Sequence, residues 1–166
     1  MCPMPFKHYN EIIVDAELKA GAMIEISRKD HKHWVMCESV SRGTGIVRCY
    51  HVEPNQDQSL AWIKHETLRH ILRKGRAREG SDSKPVYDLC RVNNQKIEAQ
   101  RRQLTEVDLK LIFDTLWALR DKMVNYSPGE YNCEWYCTQW KYGTGWSTNT
   151  MVETDNIHVN IIRVAI

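Results

Sequence analysis

Short hydrophobic segments bounded by turn residues lie in the first third of the chain and predict β-strands. They cover residues 23–27, 34–37 and 46–52, and the third of them alternates apolar and polar positions before ending at Pro54. Gly21 precedes the first segment, and the polar residues 41–45 separate the second from the third. We therefore expect the second and third strands to pair antiparallel through a turn at residues 41–45.

Apolar residues at helical spacing follow further along the chain. Residues 59–74 show a rough helical spacing and predict a helix. The most regular stripe predicts a helix over residues 104–124, with Thr105 and Asp108 approximating a capping box. A shorter helix is expected over residues 133–142, because Asn132 is a preferred N-cap residue.

The remaining segments complete an α+β pattern. The sequence predicts a polar loop over residues 75–85 and two more strands over residues 86–92 and 157–166. Strands that cluster before most of the helices favour an α+β fold, in which an antiparallel sheet packs against helices. The length of 166 residues fits a single domain over residues 1–166.

Charge and composition narrow the class of protein. Lys and Arg total 23 against 21 for Asp and Glu, so the net charge of +2 gives no reason to expect nucleic-acid binding. No apolar run is long enough to predict a transmembrane segment, and no signal peptide is evident, so we expect a cytoplasmic protein. In such a reducing compartment the six cysteines are expected to be thiols.

Two histidine clusters have the residue types of metal sites without the usual spacing. His65 and His70 lie five positions apart, which separates them by about 140° on a helix, so a solvated helix face is the better interpretation. His31 and His33 could form a zinc site with Cys133 and Cys137, but those cysteines have three residues between them, which is not the usual knuckle spacing. We therefore expect no metal site at either pair of histidines.

A basic run lies between residues 64 and 78. Such a run is usually a solvated face, and the alternative is attraction to an anionic membrane surface. The residues that would make that peripheral contact are Lys64, Arg69, Arg73, Lys74, Arg76 and Arg78.

Cys133 is the candidate nucleophile. A cysteine in the first turn of a helix lies near unpaired N–H groups and the positive end of the helix dipole, which favours the thiolate. The alternative is that Cys133 is a small buried hydrophobic residue.

His33 and His51 are the candidates for the base that a thiol nucleophile needs. His33 begins the second strand and His51 ends the third, so antiparallel pairing would make them neighbours. Each could instead be a surface histidine or a core histidine with its hydrogen bonds satisfied.

Three ordered motifs resemble the lecithin:retinol acyltransferase-like superfamily. Residues 18–28 followed by His33-Trp34-Val35 resemble its H-box, and Asn132-Cys133-Glu134 resembles its NC motif. His51-Val52-Glu53-Pro54 resembles a third conserved segment, and residues 87–88 and 92–94 resemble the middle region. The resemblance covers about residues 18–146 and is closest to the phospholipase A/acyltransferase family, whose members usually have His-Phe where Trp135-Tyr136 stand here.

The resemblance implies a permuted papain-like (NlpC-type) fold and a thiol mechanism without a cofactor. It makes Cys133 the nucleophile, His33 the general base and His51 the residue that orients His33. The substrate it implies is a glycerophospholipid, whose acyl group passes through an acyl-cysteine to water or to a lipid amine or hydroxyl.

Two other classes remain open at this point. Picornavirus proteins of the H-box/NC type share these motifs, so the chain could be a non-enzymatic interaction protein on the same scaffold. An NlpC-type peptidase would use the same Cys-His chemistry on peptidoglycan-like amides, although it would normally need an export signal.

Overall fold

The computed structural model describes residues 4–74 and 86–148. The predicted loop at residues 75–85 and the predicted strand at residues 157–166 lie outside these ranges. The described residues form a mixed α+β structure, so the prediction of an α+β class with an antiparallel sheet is confirmed. No helix in the described ranges is long and apolar enough to cross a membrane.

The described part of the chain contains six strands and five helices. The strands are β1 Met23–Ser27, β2 Lys32–Ser41, β3 Ile46–Pro54, β4 Leu60–Thr67, β5 Leu89–Val92 and β6 Met123–Asn125. The helices are α1 Tyr9–Ile12, α2 Leu68–Lys74, α3 Lys96–Arg101, α4 Leu109–Leu119 and α5 Cys133–Tyr142. The strands form one sheet in the order β5-β1-β2-β3-β4-β6.

The first three strands contain the predicted segments, but β2 extends beyond the predicted residues 34–37 at both ends and β3 continues through Pro54. β1 pairs antiparallel with β2, and Ile26 lies opposite His33 in that register. The predicted turn at residues 41–45 closes through a 2.8 Å hydrogen bond from the Gly45 amide to the Ser41 carbonyl. β2 and β3 are neighbours in the sheet, as the turn requires.

Residue contacts divide the chain into two compact units, whose boundaries fall within β3, within β4 and between β5 and α3. The first unit comprises the chain up to Cys49 and the stretch Glu66–Asn94. Its core is formed by apolar side chains from β1, β2, the start of β3, α1 and α2, among them Ile12, Ile24, Val35, Val47, Leu68 and Ile71. The middle-region motif joins this unit, because the Asn94 side chain accepts a 2.8 Å hydrogen bond from the Met23 amide.

The prediction of one helix over residues 59–74 is wrong. The first half is β4, and only Leu68–Lys74 is helical. Ala61 and Ile63 are buried while their neighbours are partly exposed, which is the period of a strand. β4 pairs with β6, so strand pairing prevails over the approximate helical spacing.

The helix predicted over residues 104–124 is shorter at both ends. Asp108 is the N-cap of α4 itself, and its carboxylate accepts a hydrogen bond from the Leu111 amide at 3.2 Å, so the predicted capping box with Thr105 does not form. At the other end, Met123–Asn125 is β6, which pairs with β4. Both differences arise because backbone groups beyond the helix bond to other elements.

The second unit comprises Tyr50–His65 and the chain from Gln95 onward, and α5 is its central helix. All ten residues of α5 are buried, although its sequence includes charged and polar side chains. Gly143 ends the helix in the left-handed conformation with φ 77°, a geometry that glycine adopts at little cost. The predicted bounds of α5 and its predicted N-cap are confirmed.

Gly145→Ala is expected to destabilise the protein by about 1–3 kcal/mol, because an added Cβ would overlap the indole ring of Trp135. That ring cannot easily move, since Tyr131 and Tyr136 both pack against it with ring centroids 5.0 Å away. Urea unfolding measures the effect. The matched control is Gly129→Ala, because a Cβ there meets no atom within 4 Å. Equal stability of the two variants would contradict this packing.

Candidate functional site

Cys133 is the first residue of α5, and its position is fixed by the cap before it. The Asn132 side chain accepts a hydrogen bond from the Trp135 amide at 3.0 Å and donates one to the Ser147 hydroxyl at 2.8 Å. The cap therefore joins the start of α5 to the segment that follows the helix. Cys133 is 6% exposed, whereas the other described cysteines are fully buried.

The described cysteines are free thiols, and most of them sit in environments that disfavour a thiolate. Burial raises the pKa of the Cys37 and Cys90 thiols to about 12. Burial also raises the pKa of Cys137 well above its usual value, with a further contribution from Cys133 and Glu134 nearby. Since a thiolate is the reactive form, these three cysteines are poor nucleophiles.

His33 and His51 are both buried, with exposed fractions of 4% and 1%, so the alternative of surface histidines is wrong. His33 lies in β2, opposite Ile26 of β1 and two residues before the core residue Val35. His51 lies in β3 two residues after the core residue Cys49. His51 belongs to the same compact unit as Cys133, and His33 belongs to the other unit. Their joint role with Cys133 stays a prediction.

Glu134, the residue after the candidate nucleophile, is a fully buried carboxylate held by four hydrogen bonds. Gln95 Nε2 donates to its Oε2 at 2.6 Å, and the Thr148 hydroxyl donates to the same oxygen at 2.7 Å. The Thr148 amide donates to Oε1 at 2.9 Å, and the Ser147 hydroxyl donates to Oε1 at 3.2 Å. The carboxylate therefore ties the start of α5 both to the start of α3 and to residues 147–148.

The charge state of Glu134 depends on two opposing effects. Burial raises the pKa of its carboxyl group above the ordinary value of 4.5, and the hydrogen bonds from Thr148, Gln95 and Ser147 lower it in part. All of these donors are neutral groups. Such a carboxylate loses its hydration without gaining an opposite charge. The effect of burial is therefore larger than that of the hydrogen bonds, and the pKa stays above its ordinary value.

Trp146 and Gln95 extend this network. The Trp146 indole N–H donates to Oε1 of Gln95, and the Arg102 guanidinium lies 4.9 Å from the centre of the Trp146 indole. Gln95 itself has a left-handed backbone with φ 50°. Sequence reasoning missed this network, and its one available signal was the Glu next to Cys133 in the NC-like motif.

The interpretation of His65 and His70 as residues of one solvated helix is wrong for His65, whereas His70 does lie exposed on a helix. His65 lies in β4 and stacks on Tyr50 with ring centroids 4.4 Å apart, while Trp117 meets it edge-on at 5.7 Å. His70 lies in α2, four residues after Glu66. Across residues 4–74 and 86–148, no group of three or more His, Cys, Asp or Glu side chains is placed to hold a metal ion.

Several cations of the basic run interact within the protein. Lys64 pairs with Asp121 at 3.1 Å, and Lys74 lies 3.9 Å from Glu66. The Arg69 guanidinium stacks over the Tyr9 ring at 4.6 Å. Arg76 and Arg78 lie outside the described residues. Contact between this run and a membrane stays a prediction.

Compared with models of known protein families and with curated proteins, the chain matches none.

Glu134→Gln is expected to destabilise the protein by about 1–3 kcal/mol, because the amide cannot accept all four hydrogen bonds and one buried donor loses its partner. It should also change the pH dependence of stability. A carboxyl group whose pKa is raised by folding binds more protons in the native state, so the free energy of unfolding falls as pH rises through the raised pKa. Urea unfolding across the range just above pH 4.5 should show that fall in the wild type and a smaller fall in the variant.

Glu130→Gln is the matched control, because this neighbouring carboxylate is exposed. We expect the control to keep both the wild-type stability and the wild-type pH dependence. If Glu134→Gln and Glu130→Gln behaved alike in both respects, Glu134 would not anchor the start of α5.

Proposed function

We propose that this protein is a thiol-dependent phospholipase A/acyltransferase with Cys133 as its nucleophile. The observation that carries the proposal is the position of Cys133 in the first turn of α5, capped by Asn132. Among the described cysteines, it is the one whose side chain is partly exposed to solvent. The same residues carry the resemblance of the sequence to the NC motif.

We further propose that the fold is the permuted papain-like arrangement of the lecithin:retinol acyltransferase-like superfamily. In that arrangement the histidine strands precede the helix that carries the cysteine. The order β2, β3 and then α5 along this chain agrees with it, as does the antiparallel sheet. Papain-like peptidases have the cysteine first.

The chemistry begins with attack of the Cys133 sulfur on the ester carbonyl of a glycerophospholipid. His33 takes the thiol proton, and His51 orients the His33 ring. The carbonyl oxygen becomes an oxyanion, for which amide groups in the first turn of α5 are the natural donors, because a helix leaves its first N–H groups without intrahelical partners. Collapse of this intermediate breaks the ester bond, and His33 returns its proton to the departing lysophospholipid oxygen.

The acyl-cysteine then reacts with an acceptor. Water, or the amine or hydroxyl of a second lipid, loses a proton to His33 and attacks the thioester carbonyl. The carbon–sulfur bond breaks, and the thiolate recovers the proton from His33. The products are a fatty acid or an acylated lipid, and the enzyme returns to its starting state.

A lipid substrate implies work at a membrane surface, and we propose peripheral contact by a cytoplasmic protein. The basic residues of α2 would make this contact, and two of them, Arg73 and Lys74, lie in the last turn of the helix. Anionic lipids attract such residues by about 1 kcal/mol each near the surface.

Cys133→Ser is expected to abolish release of lysophospholipid from phosphatidylcholine vesicles, measured by mass spectrometry of the extracted lipids. The serine hydroxyl keeps the shape of the thiol but is a far weaker nucleophile without further activation. Cys137→Ala is the matched control, because Cys137 is buried one turn further along the same helix. We expect this control to keep most of the wild-type rate.

Activity that survives in Cys133→Ser would exclude Cys133 as the nucleophile. A wild-type protein that binds vesicles without releasing any lysophospholipid would contradict the enzyme proposal. That second outcome would favour a non-enzymatic interaction protein on the same scaffold.

His33→Ala is expected to lower the rate of lysophospholipid release by about 10²–10⁴-fold, the usual contribution of a general base. His51→Gln should lower it less, because glutamine can still accept or donate a hydrogen bond and the base remains. Initial rates with phosphatidylcholine vesicles measure both effects. Since both histidines are buried, thermal melting must show that each variant is folded. A smaller loss in His33→Ala than in His51→Gln would reverse the two roles.

A further inference from the structure

The side-chain amide of Gln95 lies between two groups of the second compact unit that have opposite hydrogen-bonding needs. Its Nε2 donates to Oε2 of Glu134 at 2.6 Å, and its Oε1 accepts from the indole N–H of Trp146. An indole nitrogen can only donate, and a carboxylate accepts. The orientation of the amide is therefore fixed, with its oxygen towards Trp146 and its nitrogen towards Glu134.

Trp146 is itself held in place by α5. Its side chain is 1% exposed, and Tyr142 stacks on it with ring centroids 5.5 Å apart. Its backbone amide donates to the Thr138 hydroxyl at 2.9 Å, and that hydroxyl donates to its carbonyl at 3.1 Å. Through Glu134 and Trp146, the Gln95 amide is thus anchored to this one helix on both sides.

The backbone of Gln95 shows that local preferences do not explain a glutamine at this position. It has φ 50° and ψ 39°, a left-handed conformation that is unfavourable for any residue other than glycine or asparagine. Gln95 is also the N-cap of α3, yet its side chain makes no capping hydrogen bond to that helix. Strained backbone persists where the surrounding structure imposes it, and such positions cluster at functional sites. Here the bonds that the glutamine gains are those to Glu134 and Trp146.

We propose that Gln95 is a positioning residue for the reaction of Cys133 and acts through Glu134. Glu134 follows Cys133 in the first turn of α5, so a shift of its buried carboxylate moves the turn that carries the thiol. Misplacement of a reacting group by about 1 Å can lower a rate by about 100-fold. The inference rests on the proposed function in taking Cys133 as the nucleophile, and it does not depend on a lipid being the substrate.

The chain offers a matched control at Gln103. This glutamine has the same left-handed backbone, with φ 57°, and it belongs to the same compact unit. Unlike Gln95, it is exposed to solvent. Gln95→Met and Gln103→Met therefore make the same chemical change on the same backbone conformation, and only the first removes an amide that bonds to Glu134.

Acetylation of Cys133 by p-nitrophenyl acetate tests the proposal without a lipid. The thiolate attacks the ester carbonyl, a carbon–sulfur bond forms, and the carbon–oxygen bond to the departing p-nitrophenolate breaks. Absorbance follows this release, and peptide mass spectrometry locates the acetyl group. We expect acetylation of Cys133 in Gln95→Met to be at least about tenfold slower than in the wild type. Gln103→Met should stay within about twofold of the wild-type rate.

Two further variants separate positioning from a general loss of stability. Gln95→Lys keeps a donor at the end of a side chain of similar length, so it should react at least about threefold faster than Gln95→Met. Trp146→Phe keeps a ring and removes the N–H that orients the amide, and we expect about threefold slower acetylation of Cys133, because a lost hydrogen bond of this kind is worth about 0.5–1.5 kcal/mol. Thermal melting checks that each variant is folded, and if Gln95→Met is not, Trp146→Phe decides.

Release of lysophospholipid from phosphatidylcholine vesicles adds a kinetic signature. The loss in Gln95→Met should fall on kcat and leave KM within about twofold, because Gln95 holds the nucleophile and not the substrate. A wild type that is acetylated at Cys133 but releases no lysophospholipid would contradict the proposed lipid substrate, and the acetylation rates would then decide on Gln95 alone.

Three results would overturn the role of Gln95. The first is equal acetylation of Cys133 in the folded Gln95→Met and Gln103→Met variants. The second is a Gln95→Lys variant that reacts no faster than Gln95→Met, since the donor to Glu134 would then not matter. The third is a wild type whose Cys133 is not acetylated at all, because the thiol would then not be a positioned nucleophile. An unchanged rate in Trp146→Phe would overturn it where that variant decides.

Discussion

The complete burial of α5 is the constraint on which the second compact unit depends. The helix is not apolar, so each of its polar side chains needs a partner inside the protein. Glu134 takes its hydrogen bonds from Gln95 and from residues 147–148, and Lys141 pairs with Glu106 at 2.8 Å. The Thr138 hydroxyl bonds to the backbone of Trp146 on both its donor and its acceptor side. These hydrogen bonds and this ion pair hold the neighbouring segments in place around the helix.

That constraint also explains why the start of α5 can be a precise site. The Asn132 cap and the Glu134 carboxylate flank Cys133 in sequence, and both are bonded to Ser147. The thiol therefore lies between two anchored residues. Side chains held by packing and by a supporting shell of hydrogen bonds keep the geometry that catalysis requires.

The sequence predicted α5 well because its signal is local. Asn132 is a good N-cap, and this preference does not depend on the rest of the fold. The strands of the first unit were predictable for the same reason, since turn residues bound them. Residues 59–74 were not, because the pairing of β4 with β6 is a contact between distant parts of the chain. Hydrophobic spacing alone cannot report such a contact.

The candidate site also has some features that local sequence signals reveal and others that depend on contacts between distant residues. The residue types at Cys133, His33 and His51 were visible in the sequence, and their order resembles a known family. The network around Glu134 was not visible, because Gln95 and Thr148 lie far from it in sequence and have no motif of their own. The indole N–H of Trp140, which has no partner among residues 4–74 and 86–148, was equally hidden, since only packing reveals that a donor lacks an acceptor.

The central claim is that Cys133 forms a covalent acyl intermediate. Intact-protein mass spectrometry after brief incubation with phosphatidylcholine vesicles tests it most directly, with the wild type beside Cys133→Ser. The account predicts a mass gain equal to one fatty acyl group on the wild type alone, mapped by peptide fragmentation to Cys133. A gain of that size on another residue, or an equal gain on both proteins, would contradict it.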